Sequence, residues 1–227
     1  MTKENKRKIR IIFWIAAIIV AGFIGVTCGI IGITKQNFYI VLVIYVILLW
    51  ITMFVINMVY VKNLMRQVNL LLPILNEEGN PDRYLKELTE LIGDARSPGF
   101  KSVFCINSAV AYCNKGEYEN ARIAMEKINP LSVPRINRPV SYLNMTGICI
   151  HLDEYDKAME IYNANKDDFI SMSNREETAP YYQFIYIAFL IHEGKTDEAG
   201  RELELAKKKW TEPRAIKEFE YLEKKLK

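Results

Sequence analysis

The chain has 227 residues, half of them hydrophobic, and its 30 Lys and Arg against 27 Asp and Glu leave a net charge of +3. That length accommodates one membrane segment and one soluble domain of ordinary size. The first 62 residues hold seven basic side chains and one acidic, so the remainder carries −3, and a mildly acidic domain lacks the electrostatic footprint for nucleic acid.

Residues 1–10 form a basic leader with Lys3, Lys6, Arg7, Lys8 and Arg10. Two uncharged runs come next, Ile11 to Ile33 and Phe38 to Val61, each longer than the roughly 20 residues a helix needs to cross about 30 Å of hydrocarbon. The first run is too long for a signal-peptide core and lacks an A-x-A cleavage pattern. Only "TKQN", Thr34 to Asn37, separates the runs, so the expectation is an antiparallel transmembrane hairpin over 11–61. Lys and Arg remain on the cytoplasmic side; the leader, with Lys62 and Arg66 beyond the second span, puts both termini in the cytoplasm and the Lys35 turn outside. The absence of organelle signals points to a bacterial cell membrane.

Ala17, Ala21, Gly25 and Gly29 recur every four residues in the first span. Such a stripe lets another helix backbone approach closely, and three occupants are open: the second span, a second copy of the chain, or a partner membrane protein. No Asp, Glu, Lys, Arg or His lies within either span, so a proton relay or ion path has no obvious residues. Cys28 falls in the bilayer, while Cys105, Cys113 and Cys149 fall in helical patterns and read as small apolar packers under reducing conditions. "NMT" at Asn144 spells a glycosylation sequon, without meaning in a cytosolic helix.

Residues 62–98 read as a linker and an amphipathic helix. An apolar patch, Leu70 to Leu75, is broken by Pro73. Asn80 and Pro81 then mark a helix start, and Tyr84, Leu85, Leu88, Leu91 and Ile92 obey the helical period.

Residues 99–227 contain an internal repeat. "AYCNKGEYENARIAMEKI", "ICIHLDEYDKAMEIYNAN" and "AFLIHEGKTDEAGRELELA" align on Ala121, Ala158 and Ala199, with Gly116, Asp153 and Gly194 five residues before each alanine. Small residues where two helices cross, preceded by turn residues, predict helix-turn-helix units in series joined by "NPLSVPRINRP" and "DDFISMSNREET". After Thr211, the pattern Ile216, Phe219, Leu222 and Leu226 predicts a capping helix.

These segments resemble the tetratricopeptide repeat family. Tyr112, Gly116, Tyr118 and Ala121 match its pattern in the first unit and Tyr155 with Ala158 in the second, while the third keeps Gly194 and Ala199 but has Thr196 in place of the tyrosine. The family's early small residue survives as Ala109 and becomes Thr146 and Ile187. The resemblance covers residues 100 to 210 and implies an all-α fold: a two-helix transmembrane hairpin joined to a helical-repeat solenoid. It also implies that the first helix of each repeat lines a concave groove, here Val103, Ile106 and Val110, then Val140, Leu143 and Ile150, then Tyr181, Phe184 and Ile191. The Asn and Lys carboxylate clamp of some relatives is absent from these positions.

So apolar a groove either receives a partner protein or is filled by the chain itself, by Leu70 to Leu75 or by the last helix. His151 and His192 fall at equivalent places before two turns, but no third ligand at metal spacing accompanies them. A Cys113 and His151 pair lacks an orienting group and an oxyanion hole, and no Gly-rich phosphate loop suggests a cofactor. The expected function is a membrane-anchored, non-enzymatic interaction module that recruits or regulates a partner protein. The alternative is an accessory subunit of a membrane complex, recognised through the small-residue stripe, with the repeat domain as cap or scaffold.

Overall fold

The computed structural model describes residues 3–32, 34–93 and 97–227, and every regular element among them is helical. The chain divides into two compact units, Met1–Leu70 and Leu71–Lys227. Residues 1, 2 and 33, which belong to the expected leader and first span, and 94–96 of the expected linker, lie outside the described residues.

The first unit consists of α1 (Lys3–Ile31) and α2 (Lys35–Asn69). Each contains a stretch long and apolar enough to cross a membrane, and large apolar side chains such as Ile18, Phe23 and Trp50 are turned outward, as a hydrocarbon solvent permits. Thr34 caps α2 by accepting from the Asn37 amide, and the Tyr45 hydroxyl donates to the Ala17 carbonyl. At 1.5 Å per residue α2 is about 52 Å long, well beyond about 30 Å of hydrocarbon. Residues 62–69, expected as linker, are its continuation: "KNLMRQVN" has no Gly or Pro to stop a helix, and the helix ends just before Pro73.

Of the small-residue stripe, only Ala17 is buried. Ala21, Gly25 and Gly29 are exposed, and a Cβ added at either glycine would meet nothing within 4 Å. The glycines therefore do not serve close approach of α2.

The second unit begins with α3 (Leu72–Asn76) and α4 (Pro81–Leu88), which pack on one another. Asn80 Oδ1 accepts from the Arg83 amide at 3.0 Å and Pro81 occupies the first turn, satisfying helix-start donors that have no intrahelical partner. A π-helical turn, Thr89–Gly93, extends α4. The resulting apolar face buries Tyr84, Leu88 and Ile92 against α5 (Pro98–Lys115), where the Tyr84 hydroxyl donates to Asn107 Oδ1 at 2.9 Å.

Three helix pairs come after, in order: α5 with α6 (Tyr118–Glu126), α7 (Arg138–His151) with α8 (Tyr155–Ala164), and α10 (Ala179–His192) with α11 (Thr196–Lys209). Their turns share one backbone design. Gly116, Asp153 and Gly194 have φ of 76°, 59° and 76°, the left-handed region. At each, the next residue's amide returns to a carbonyl five back, Glu117 to Tyr112, Glu154 to Cys149 and Lys195 to Leu190, at 2.8–2.9 Å. The left-handed residue's own amide bonds the carbonyl three back, completing a Schellman motif that satisfies the helix-end carbonyls. The carbonyl of that next residue then accepts from Ala121, Ala158 or Ala199, so the second helix starts at once. All three alanines are fully buried.

Consecutive pairs pack through their first helices, α7 on α5 and α6, and α10 on α7. Ile106, Ala109, Ala121, Ala124, Met125, Val133 and Ile148 form one core cluster, and a larger one runs from Leu143 and Ile150 through Phe184, Ile185 and Leu203 to Phe219 and Leu222. Burying each such large side chain contributes about 1.5–3 kcal/mol relative to exposure.

Two details depart from the sequence pattern. The second connector contains α9 (Lys166–Ser173), which buries Phe169 and Met172, a pair spaced three apart on a one-sided short helix. The last helix, α12 (Pro213–Leu226), buries Ala215 with Phe219 and Leu222 and leaves Ile216 exposed. Rotating one position around the helix lets a small residue sit against α10 and α11, on which α12 packs.

Candidate interaction groove

The resemblance implies an interaction face on the first helices α5, α7 and α10, and α12 lies beside α7 and α10. Arg214, Glu218, Tyr221 and Lys225 recur at four, three and four residues, one stripe of α12 beside its buried one. The Arg214 guanidinium sits 4.7 Å from the Tyr181 ring centroid. Glu218 Oε2 is 2.6 Å from His151 Nε2, with the two side chains only 14% and 5% exposed. The Tyr221 hydroxyl donates to the Ile150 carbonyl at 3.3 Å, and Lys225 Nζ to Asp153 Oδ1 at 2.7 Å. Lys217 Nζ reaches the Asn114 carbonyl at the end of α5, at 3.0 Å.

His151 is the centre of this arrangement. Its imidazole is stacked on Tyr118, 3.9 Å between centroids and 10° apart, and also meets Tyr221 at 4.2 Å and Phe184 at 5.4 Å. His192 repeats the relation on Tyr155, at 4.3 Å and 1°. Each tyrosine lies two residues after its turn residue and each histidine two before the next turn residue, so a ring of one repeat stacks on the imidazole of the next. Arg122 adds a polar link between the same repeats, its Nη1 donating to Glu154 Oε1 at 2.7 Å.

Beside His151 is a cavity of about 30 Å³ whose lining includes Asn144, Gly147, Tyr181, Arg214 and Glu218. Among the described residues the Asn144 amide nitrogen is buried without an acceptor, which also closes it to the glycosylation that its sequon spells. Cys113 lines the same cavity, and burial pushes its thiol up to about 12, with Arg214 pulling the other way. Burial likewise raises the Tyr118 and Tyr181 phenols. His151 lines this cavity too, with its imidazole engaged by Glu218. No group of three metal-ligating side chains occurs among the described residues.

The nine groove positions divide by burial. Val103, Ile106, Leu143, Ile150 and Phe184 are buried, Ile106 in the α5–α6 cluster and Leu143, Ile150 and Phe184 in the larger one. Val110, Val140, Tyr181 and Ile191 are partly exposed. Of the nine, Tyr181 meets Arg214 of α12 and Phe184 meets the Tyr221 ring; His151 and Asp153, outside the nine, also meet α12, together with the backbone of Asn114 and Ile150. The sequence signal for this seat is the line of Asn144, Gly147 and His151, three and four residues apart on one face of α7. Of the two chain segments that could fill the groove, α12 is the one found there; the Leu70 to Leu75 segment instead supplies α3, which buries Ile74 and Leu75 and packs on α4.

Compared with protein-family models, with curated proteins and with solved structures, the chain matches none.

Proposed function

We propose that this protein is a membrane-anchored interaction module: α1 and α2 cross a membrane as a hairpin, and a tetratricopeptide-like helical domain on the cytoplasmic side offers a helix-binding groove to a partner protein. The supporting observation is the manner in which α12 is held. Its contacts with α7 and α5 are the His151–Glu218 hydrogen bond, the His151–Tyr221 ring contact, the exposed Lys225–Asp153 pair and hydrogen bonds to backbone, and a cation–π pair joins it to α10, where its apolar stripe of Ala215, Phe219 and Leu222 also packs. An amphipathic helix of similar charge pattern could share or take over a seat of this type. The three identical turns and two Tyr–His stacks support the repeat reading. The basic leader supports the cytoplasmic orientation. Anchoring would raise the encounter rate with a membrane-bound partner through effective concentration.

The test is crosslinked affinity purification from native membranes, comparing the unmodified chain with a Tyr181→Glu variant. Tyr181 is partly exposed, so this change reaches the groove without placing a charge among the buried Leu143 and Phe184 side chains. A protein retained by the unmodified chain and lost from the variant supports the reading. Identical sets from both, or a C-terminal tag digested only from the outer side of intact cells, would overturn it.

A further inference from the structure

The connector between α6 and α7 sets exposed aliphatic side chains among Lys and Arg side chains. Leu131 is 87% and Ile136 76% exposed, the two most exposed large apolar side chains of the second unit among the described residues. Both are held in defined structure. Leu131 lies in a 3₁₀ turn over Pro130–Ser132 and Ile136 in another over Arg135–Asn137. Asn129 Oδ1 accepts from the Leu131 amide at 3.0 Å, the Asn137 amide bonds the Pro134 carbonyl at 2.8 Å, and Ser132 Oγ meets Ser102 Oγ of α5 at 2.8 Å. Val133, between them, is buried and anchors the segment.

Lys127, Arg135 and Arg138 belong to the same segment, and Lys101 adjoins Ser102. Among the described residues none of these four cations is ion-paired, whereas Lys115, Arg122 and Lys157 on the neighbouring helices are. From Lys127 to Leu152 there is no Asp or Glu. A basic patch on a domain that is acidic overall, with two aliphatic side chains projecting from its middle, is complementary to an anionic lipid surface: aliphatic tips enter the acyl boundary and Lys and Arg meet headgroup phosphates. Such a surface is at hand if α1 and α2 cross a bilayer, since α2 ends at Asn69 and the second unit begins at Leu71.

We propose that residues 127–138 form a second, peripheral membrane contact, in which Leu131 and Ile136 enter an anionic leaflet and Lys101, Lys127, Arg135 and Arg138 bind its headgroups. This rests on the membrane-anchored reading above. The test places the photocrosslinker p-benzoylphenylalanine at Leu131, at Phe54 of α2, or at the exposed Leu205 of α11, in the full chain reconstituted into phosphatidylcholine vesicles with and without phosphatidylglycerol. Lipid adducts are expected from Phe54 and Leu131 and not from Leu205. The Leu131 adduct should fall several-fold without phosphatidylglycerol, in about 1 M NaCl, where the screening length is about 3 Å, and in a Lys127→Glu, Arg135→Glu variant. Lipid adducts at Phe54 with none at Leu131, an adduct between Leu131 and a second protein chain, or a Leu131 yield indifferent to salt and lipid charge would each overturn the proposal. Absence of lipid adducts at Phe54 would overturn both it and the anchoring on which it rests.

Discussion

The Tyr118 ring lies flat on the His151 imidazole, and Tyr155 on His192 repeats the pairing one unit later. The third unit has Thr196 at the tyrosine position, and its neighbour along the chain is the single helix α12 in place of another pair, so no equivalent imidazole is presented there. The stack is therefore a bond between repeats. Aromatic pairs contribute about 0.5–1.5 kcal/mol beyond area burial, so a double-mutant cycle with Tyr155→Leu and His192→Leu should give a coupling of about that size in denaturant unfolding. A coupling indistinguishable from zero would show that the rings merely share space.

Gly116 and Gly194 take left-handed φ, and a Cβ at either meets nothing within 4 Å, so the cost of a side chain there is conformational. Gly116→Ala and Gly194→Ala should each destabilise by about 1–2 kcal/mol. Asp153 already bears that cost at φ 59°. Asp153→Gly relieves it while losing the largely exposed pair with Lys225, worth about 0–1 kcal/mol. The net change in unfolding free energy should be under about 1 kcal/mol in either direction, against a clear loss for the two alanine variants.

The turns were legible because the requirement is local: a left-handed residue, then a small residue at the crossing, leaves Gly116, Asp153 and Gly194 each five before an alanine. Tyr84, Leu88 and Ile92 were legible for a similar reason, since one amphipathic helix on one support obeys a single period. The groove was not. Leu143, Ile150 and Phe184 lie on helices apolar on several sides, where period alone cannot separate the face toward the groove from the face toward the second helix. The choice of Ala215 over Ile216 turns on how closely α12 approaches α10 and α11. His151 and Glu218 meet across 67 positions of chain, a pairing that only tertiary placement creates. Gly25 and Gly29 carry a packing signature, yet α2 leaves them open.

The His151–Glu218 contact is a buried polar link between α12 and α7. Hydrogen bonds to charged groups contribute about 1.5–3 kcal/mol, and removing one partner leaves the other desolvated. Glu218→Ala should therefore loosen α12 by about 2–3 kcal/mol, seen as faster amide hydrogen exchange along Pro213–Leu226 with little change in α5 and α6. Glu218→Gln, which retains an oxygen toward Nε2, should restore much of the protection. Equal exchange in all three proteins would mean that Ala215, Phe219 and Leu222 hold the helix unaided.

Alkaline pH should weaken the helical unit through groups that burial keeps neutral. Burial pushes the Cys113 thiol from an ordinary value of 9.0 up to about 12, the Cys149 thiol to about 11, and the Tyr84 phenol from 10.0 to about 12. A folded-state pKa raised in this way means that, as pH rises, the unfolded chain releases its proton first; it then binds fewer protons than the folded chain, so stability falls with rising pH. The contribution is complete at neutral pH, where free thiols are still protonated, and is lost progressively as pH rises through the free-thiol range toward the folded-state values. Unfolding midpoints measured from neutral to strongly alkaline pH should decline over that window, and the decline should be shallower in a Cys113→Ala, Cys149→Ala variant. Cys149 is fully buried, so its alkylation should be slow in the native protein and fast only on unfolding. A flat pH profile together with rapid native-state alkylation of Cys149 would show that side chain to be in contact with water.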